Sequence, residues 1–330
     1  MALPKAELHV HVEGTFEPEL IFAIAQRNRV PLDYPDVAAL EAAYRFTDLE
    51  SFLRLYYRSM AVLRTELDFY ELTMAYLQRA WAQGVRHAEI FFDPQAHVMR
   101  GIAFERVVDG IWSALQDGHA ALGITAHLIA CFLRDHPVES AAQTLDAVLR
   151  YQDRIVAVGL DSAEAGNPPA RFLAIFDRAR ANGLLTVCHA GEEGPAAYVW
   201  QALDLLKVSR IDHGVRSMDD PELVERLRRQ RIPLTVCPLS NLRLCVVPSL
   251  QAHPLKRMLE AGLMVTCNSD DPAYFGGYAG ENFVAVRDAL ALQDADLIAL
   301  ARNSFEASFI SDVAKKTYLE ELDRTTAPVG

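Results

Sequence analysis

Apolar and polar positions in this chain repeat with two different periods, and the switch between them recurs through the whole second half. Residues 155–161 read as a strand and 169–182 as an amphipathic helix ending before Gly183. A strand over 184–188, a helix over 195–206 and a short strand over 210–212 follow. The pattern continues with a helix over 219–229, a strand over 233–237, a helix over 253–261 ending at Gly262, and a strand over 263–267. Short strands separated by helices of about ten residues indicate βα units laid into a parallel sheet. Earlier strands are predicted over 7–12, 86–92 and 124–132, which brings the number to eight, enough to close a (β/α)8 barrel.

The stretch between the first two strands differs from the rest. It runs for about seventy residues, with helices predicted over 18–28 and 49–63, and an insertion that long after a barrel strand usually covers the active-site mouth. The pattern therefore predicts an α/β fold, a single (β/α)8 TIM barrel domain over 1–330, with a lid-like helical insertion at about 15–85. Phe46, Leu49, Phe52, Leu53 and Tyr56 either wall a pocket there or pack the inserted helix onto the barrel; packing is the plainer reading for most of them.

Four short polar clusters end apolar runs. They are His9-Val10-His11 after Leu8, His189-Ala190-Gly191-Glu192 after 184–188, Asp212-His213-Gly214 after Ile211, and Ser269-Asp270-Asp271-Pro272 after 263–268. His9 and His11 alternate with Leu8, Val10 and Val12, so on a strand both imidazoles share a face. Together with His189 and Asp270 they make a nitrogen-rich set that suits zinc. In barrels the catalytic groups sit at strand C-termini facing one mouth, and His11, Asp161, His189, His213 and Asp270 all fall at such ends. An open doubly wound sheet would gather them near one switch point. A His pair alone occurs by chance and Asp-Pro alone marks a turn; the combination points to a metal-dependent hydrolase. Glu192 lies three residues after a candidate ligand, and a carboxyl kept protonated in such a pocket acts as a general acid. Glu193 suits the lesser role of a helix N-terminal charge.

Composition removes other classes. Hydrophobic residues at 51% exclude a disordered chain. The net charge of −12, with acids and bases interspersed, offers no basic patch for nucleic acid. No apolar run approaches the roughly 18 residues of a membrane span, and Met1-Ala2-Leu3-Pro4-Lys5 lacks a signal-peptide pattern, so a cytoplasmic protein acting on a small molecule is expected. Cys131, Cys188, Cys237, Cys245 and Cys267 form no CxxC and read as reduced thiols.

The segments His9-Val10-His11-Val12-Glu13-Gly14, His189-Ala190-Gly191-Glu192, Asp212-His213-Gly214, Cys237-Pro238-Leu239-Ser240-Asn241 and Ser269-Asp270-Asp271-Pro272 closely resemble the adenosine/adenine deaminase family of the amidohydrolase superfamily. They occur in family order over nearly the whole chain. The resemblance implies a zinc-bearing (β/α)8 barrel that replaces the 6-amino group of a purine with oxygen. It implies His9, His11, His189 and Asp270 as ligands of one Zn2+ per subunit, with iron the alternative metal. It also implies Glu192 as proton donor to ring N1, His213 beside the water the metal activates, and Asp271 at purine N7. His213 and Asp270 can orient that water and accept its proton, and zinc lowers its pKa to about 7. The lysine that bridges two metals in binuclear relatives is absent from Val158-Gly159-Leu160-Asp161, so one metal is the expectation.

Two departures bear on substrate. Adenosine deaminases usually carry aspartate where this chain has Glu13, and glycine where Asp161-Ser162-Ala163-Glu164 places a glutamate. Similar substitutions, with Phe92-Asp93-Pro94-Gln95, look like the bacterial adenine deaminase branch. A carboxylate at 164 could accept the imidazole N–H of free adenine and fill ribose space; the plainer reading is a solvated loop residue. Asp161, Asp271, Glu13 and Glu164 are thus the candidate substrate contacts. Adenosine or N6-substituted adenines as substrates, amide or phosphoester hydrolysis, and a metal-free binding barrel remain alternatives.

Overall fold

The first strand, β1 (Lys5–His11), alternates charged or imidazole side chains with apolar ones as a solvent-facing strand would, yet all seven residues are buried. Ala6, Leu8 and Val10 join the main apolar core. The polar set is divided by a register shift against the next strand between Glu7 and Val10, which re-aims the chain as a β-bulge does. Lys5 Nζ donates to the Gln83 carbonyl at 2.6 Å and Glu7 accepts the Tyr76 hydroxyl at 2.7 Å, both at the helix Glu66–Ala82 and its C-terminal end. His9 and His11 instead lie against the Phe91 ring, with centroids 4.9 and 5.0 Å apart.

The computed structural model describes residues 3–327; Met1 and Ala2, part of the N-terminus expected to carry no leader, lie outside them. After β1 come β2 (Val85–Phe92), β3 (Thr125–Leu133), β4 (Ile155–Asp161), β5 (Leu185–Ala190), β6 (Arg210–His213), β7 (Leu234–Val236) and β8 (Val265–Cys267). They pair in chain order and in parallel. A parallel bridge between Val10 and Asp270 closes the ring, with His11 N donating to Asp270 O at 3.0 Å and Asp270 N to His9 O at 3.1 Å. This is the expected (β/α)8 barrel, and its seam runs through three of the candidate metal ligands. β5 and β6 continue past their expected ends, so His189 and His213 are the last or penultimate residues of strands.

Inside the barrel Phe91, Ile129, Cys131, Ala157 and Val187 form a small apolar plug. A buried ion pair links β2 to β6: Arg210 Nη1 donates to Glu89 Oε2 at 2.5 Å and Nη2 to the Leu8 carbonyl at 3.0 Å. Burial would raise the Glu89 carboxyl, but Arg210 holds it at about 2. Glu89→Ala strands a buried cation and is expected to cost about 3–5 kcal/mol in denaturant unfolding. A depressed folded pKa means this contribution is complete above the unfolded value of about 4.3 and fades only as pH falls toward the folded one. Stability of the parent and the variant should therefore converge in strong acid.

The inserted helix Leu49–Ser59 is capped by Asp48 in a capping box with Ser51, and a 3-10 turn, Met60–Val62, replaces the last expected helical residues. Its buried face, Leu49, Phe52, Leu53 and Tyr56, packs on Leu244, Tyr274 and Phe275. No helix among the described residues is long and apolar enough to cross a membrane. All five cysteines are free, and only Cys245 is exposed.

Candidate active site

Strand ends deliver the polar clusters to one cavity. His11 ends β1, His189 lies near the end of β5, His213 ends β6, and Asp270 and Asp271 follow β8. His213 and Asp270 have φ of 62° and 66°, the left-handed region that non-glycine residues seldom occupy. Each costs of order 1–3 kcal/mol, strain retained where geometry must be exact for function.

His9, His11, His189 and Asp270 each offer one ligand atom, all within 4.8 Å of one another. Thr235 Oγ1 gives its only proton to Asp212 Oδ1 at 2.9 Å, so His9 Nδ1 must donate to Thr235 Oγ1, also at 2.9 Å. His9 Nε2 is then a bare lone pair, 3.2 Å from Asp270 Oδ1. His11 Nε2 and His189 Nε2 likewise face each other at 3.2 Å. Lone pairs converging in a buried space fit a cation, and three nitrogens with one carboxylate oxygen fit zinc. Carboxylates stand behind the other two imidazoles, Asp161 Oδ2 at 3.6 Å from His11 Nδ1 and Asp212 Oδ2 at 3.6 Å from His189 Nδ1. Such outer partners fix ring orientation. Burial lowers His11 to about 4 and pushes His189 well below its ordinary value, so both imidazoles are neutral.

A second chain of hydrogen bonds sets His213. Leu255 N donates to His253 Nδ1 at 3.1 Å, so His253 Nε2 carries the proton and donates to Asn241 Oδ1 at 3.1 Å. Asn241 Nδ2 is left to donate to His213 Nδ1 at 3.4 Å, which keeps the His213 proton on Nε2. That nitrogen is 3.5 Å from Glu192 Oε2 and 3.7 Å from Asp270 Oδ2. Burial, reinforced by His9, lowers His213 to about 3, so its imidazole is neutral and presents Nε2–H toward the cavity.

A cavity opens above these groups. Its floor and walls include His11, His189, Glu192, His213, Asp270 and Asp271, with Asp93, Asp161, Ser162 and Tyr57 to one side and Leu49, Phe52, Leu53 and Tyr56 of the inserted helix completing it. Those four residues both wall the cavity and pack on the barrel; Phe46 packs on Phe52 and Phe275 without lining it. Glu192 Oε1, Asp271 Oδ1, Asp161 Oδ1 and Asp93 Oδ1 are buried with no protein partner. Burial, with Asp270 adding to it, raises both Glu192 and Asp271 well above the ordinary carboxylate range. Asp161 rises to about 7, again through burial. Asp271 comes so close to the backbone of Gly14 that a Cβ there would sit 2.0 Å from its Oδ1, which gives the motif glycine a physical reason.

Two expected substrate contacts are placed elsewhere. Glu13 Oε1 accepts Asp93 N at 3.0 Å and His97 Nε2 at 2.8 Å, behind the cavity wall rather than in it. Glu164 is buried, not solvated, but its carboxylate accepts the backbone N–H groups of residues 191 to 194 and does not line the cavity. The fixed N–H donors of a turn outcompete a distant ligand for a carboxylate they surround. Glu193 takes the lesser role foreseen, accepting the N–H of Leu49 at 3.1 Å at the start of the inserted helix. Sequence reasoning missed Asp93, Asp212, Thr235 and His253; Phe92-Asp93-Pro94-Gln95 and Asp212-His213-Gly214 held two of them in view, while Thr235 and His253 carry no local signature.

Known proteins share both the sequence and the fold. The family described as adenosine deaminase matches residues 4–325. A protein named adenine deaminase from Streptomyces coelicolor is 61% identical over 332 residues, spanning 100% of this chain and 98% of that protein. One of the same name from Cupriavidus necator is 60% identical over 320 residues, spanning 97% and 91%. Among solved structures, the adenine deaminase of Arthrobacter aurescens aligns with a TM-score of 0.97 at 52% identity, covering 98% of this chain and 99% of that one. An amidohydrolase from Burkholderia ambifaria, solved with bound Zn, aligns at 0.90 with 30% identity over 98% and 91%. Strand-end ligands, barrel and whole-length similarity thus coincide: the chain belongs to the adenosine deaminase family, metal-dependent hydrolases that act on a carbon–nitrogen bond.

Proposed function

We propose that this enzyme deaminates adenine to hypoxanthine and ammonia, a purine-salvage reaction, with one zinc ion held by His9, His11, His189 and Asp270. The observation that carries the reading is the convergence on one cavity of those four donors and of the unpartnered Glu192 Oε1. The names of the bacterial relatives support the free base as substrate.

Zinc at this position supplies Lewis acidity that turns water into a nucleophile at neutral pH. The protein groups do the rest. Glu192, protonated, gives its proton to ring N1, which draws electron density from C6 and readies that carbon for attack. Asp270, ionised, accepts the proton of the attacking water and passes it to the departing amino group. His213 Nε2–H donates to the incoming oxygen and fixes its direction. Asp271, protonated, donates to purine N7, and the free oxygen of Asp161 accepts the imidazole N–H. The inserted helix serves as a lid that keeps bulk water from the reacting carbon.

Ammonia release measured across adenine, adenosine and N6-methyladenine tests this reading. Because a site built to bond a donor rejects the analogue lacking it by roughly 10⁴-fold, kcat/KM for adenine should exceed that for adenosine by about that factor. Equal turnover of adenosine would place the sugar in the cavity and overturn the free-base assignment.

A further inference from the structure

We infer that Glu164 is a positioning residue for Glu192, its carboxylate holding the turn that aims the Glu192 side chain into the cavity. The inference rests on the reading of Glu192 as proton donor. Glu164 Oε1 accepts Gly191 N at 2.7 Å, and Oε2 accepts Glu192 N at 3.0 Å, Glu193 N at 2.9 Å and Gly194 N at 2.8 Å. Four consecutive N–H groups on one carboxylate form a nest, the concave backbone arrangement that binds anions. Here the anion is built into the chain from the loop after β4.

The fit is tight on every side. Gly191 has φ of 72°, which lets the backbone turn its N–H groups inward directly after β5. A Cβ on Gly194 would lie 2.6 Å from Glu164 Oε1 and 2.7 Å from Tyr198 Cδ2, so the turn closes on the carboxylate with no room to spare. On the other side of the same segment, the fully buried Arg134 donates from Nη1 to the His189 carbonyl at 2.6 Å and from Nε to the Asn167 carbonyl at 2.8 Å. The segment 189–194 is thereby held through its carbonyl at one end and its N–H groups at the other. Within it, His189 meets the metal quartet and Glu192 meets the cavity, so a shift of the turn misplaces the donor first. Charge-assisted bonds to backbone N–H are about twice as strong as neutral ones, which suits a clamp that must be stiff.

Glutamine is the informative replacement, because it keeps the shape of Glu164 but turns one acceptor into a donor that faces N–H groups. Glu164→Gln should lower kcat for adenine by about 10–10²-fold, since small misplacements of a reacting group carry losses of that order. The KM for adenine and the metal content of the purified enzyme should stay near the parent's. On a Glu192→Gln background the same change should alter kcat by less than about twofold, because a residue acting only through its partner is not additive with it. Equal losses in both backgrounds, a loss carried by KM, or an unchanged kcat in the single variant would each overturn the positioning role. Normal turnover by Glu192→Gln alone would instead remove the proton-donor reading, and the positioning role with it. If Glu164→Gln does not fold, Gly194→Ala presses on the same contact from the backbone side. It should show the same kcat-confined, non-additive loss, and an additive loss there counts against the proposal in the same way.

Discussion

His189→Ala should lose most of its metal and its activity together, the largest effect expected of any single change in the site. On the proposed reading His189 is one of the four donors that converge among the described residues, and its Nε2 sits 3.2 Å from His11 Nε2, so its removal would open one side of that set. Even outer partners of metal ligands are worth 10–100-fold in affinity, so loss of a ligand should cost about 10²-fold or more. Burial also lowers His11 to about 4, so that imidazole is neutral near pH 7 and protons do not compete for its lone pair there. The failure is therefore one of coordination, and pH adjustment in the neutral range should not repair it. Elemental analysis of the purified variant beside a deaminase assay gives both readouts. Stoichiometric zinc in His189→Ala would show that this imidazole is no ligand.

The contrast between ligands and substrate contacts shows what sequence can carry. The convergence of His9, His11, His189 and Asp270 was legible because strand periodicity and barrel architecture dictate where strand-end side chains point. The inward aim of His9 and His11 needs no tertiary information beyond the strand itself. Glu13 and Glu164 were different. Both sit on loops, where a carboxylate faces either the cavity or a neighbouring backbone, and nothing local separates the two outcomes. Glu164 is captured by a turn about 30 residues later in the chain, at residues 191 to 194, and Glu13 by Asp93 N and His97. In β1, the register shift before Val10 splits the alternating polar residues Lys5, Glu7, His9 and His11 between the helix layer and the lumen. Bulges of that kind depend on pairing with β2 and leave no mark on composition. Thr235 illustrates a further limit. It lies in a three-residue strand that reads as apolar, and only closure of the barrel puts its hydroxyl between Asp212 and His9.

Glu192→Gln separates proton transfer from metal binding and substrate binding, because the amide preserves volume and hydrogen-bonding reach but has no acidic proton to give. It should retain zinc and bind purine, and lose kcat by about 10²–10⁴-fold or more. The pH behaviour adds an independent sign. Burial, then the charges of Asp270 and Glu164, raise the Glu192 carboxyl well above its ordinary range, so the working form is the protonated one. Activity of the parent should accordingly fall on the alkaline side as this proton is lost, and the residual rate of the variant should lack that limb. Stability should move the opposite way. A carboxyl whose folded pKa exceeds its unfolded one contributes stability below the unfolded value, and loses it as pH rises through the folded value. Glutamine removes that loss, so Glu192→Gln should melt at a higher temperature than the parent near pH 7, with the gap narrowing toward pH 4. A variant that is both slower and more stable identifies a site where burial of an acid is maintained for catalysis at the expense of the fold. Full turnover by Glu192→Gln, with metal in place, would mean that N1 receives its proton from another group, and Asp271 is the protonated carboxyl next in line.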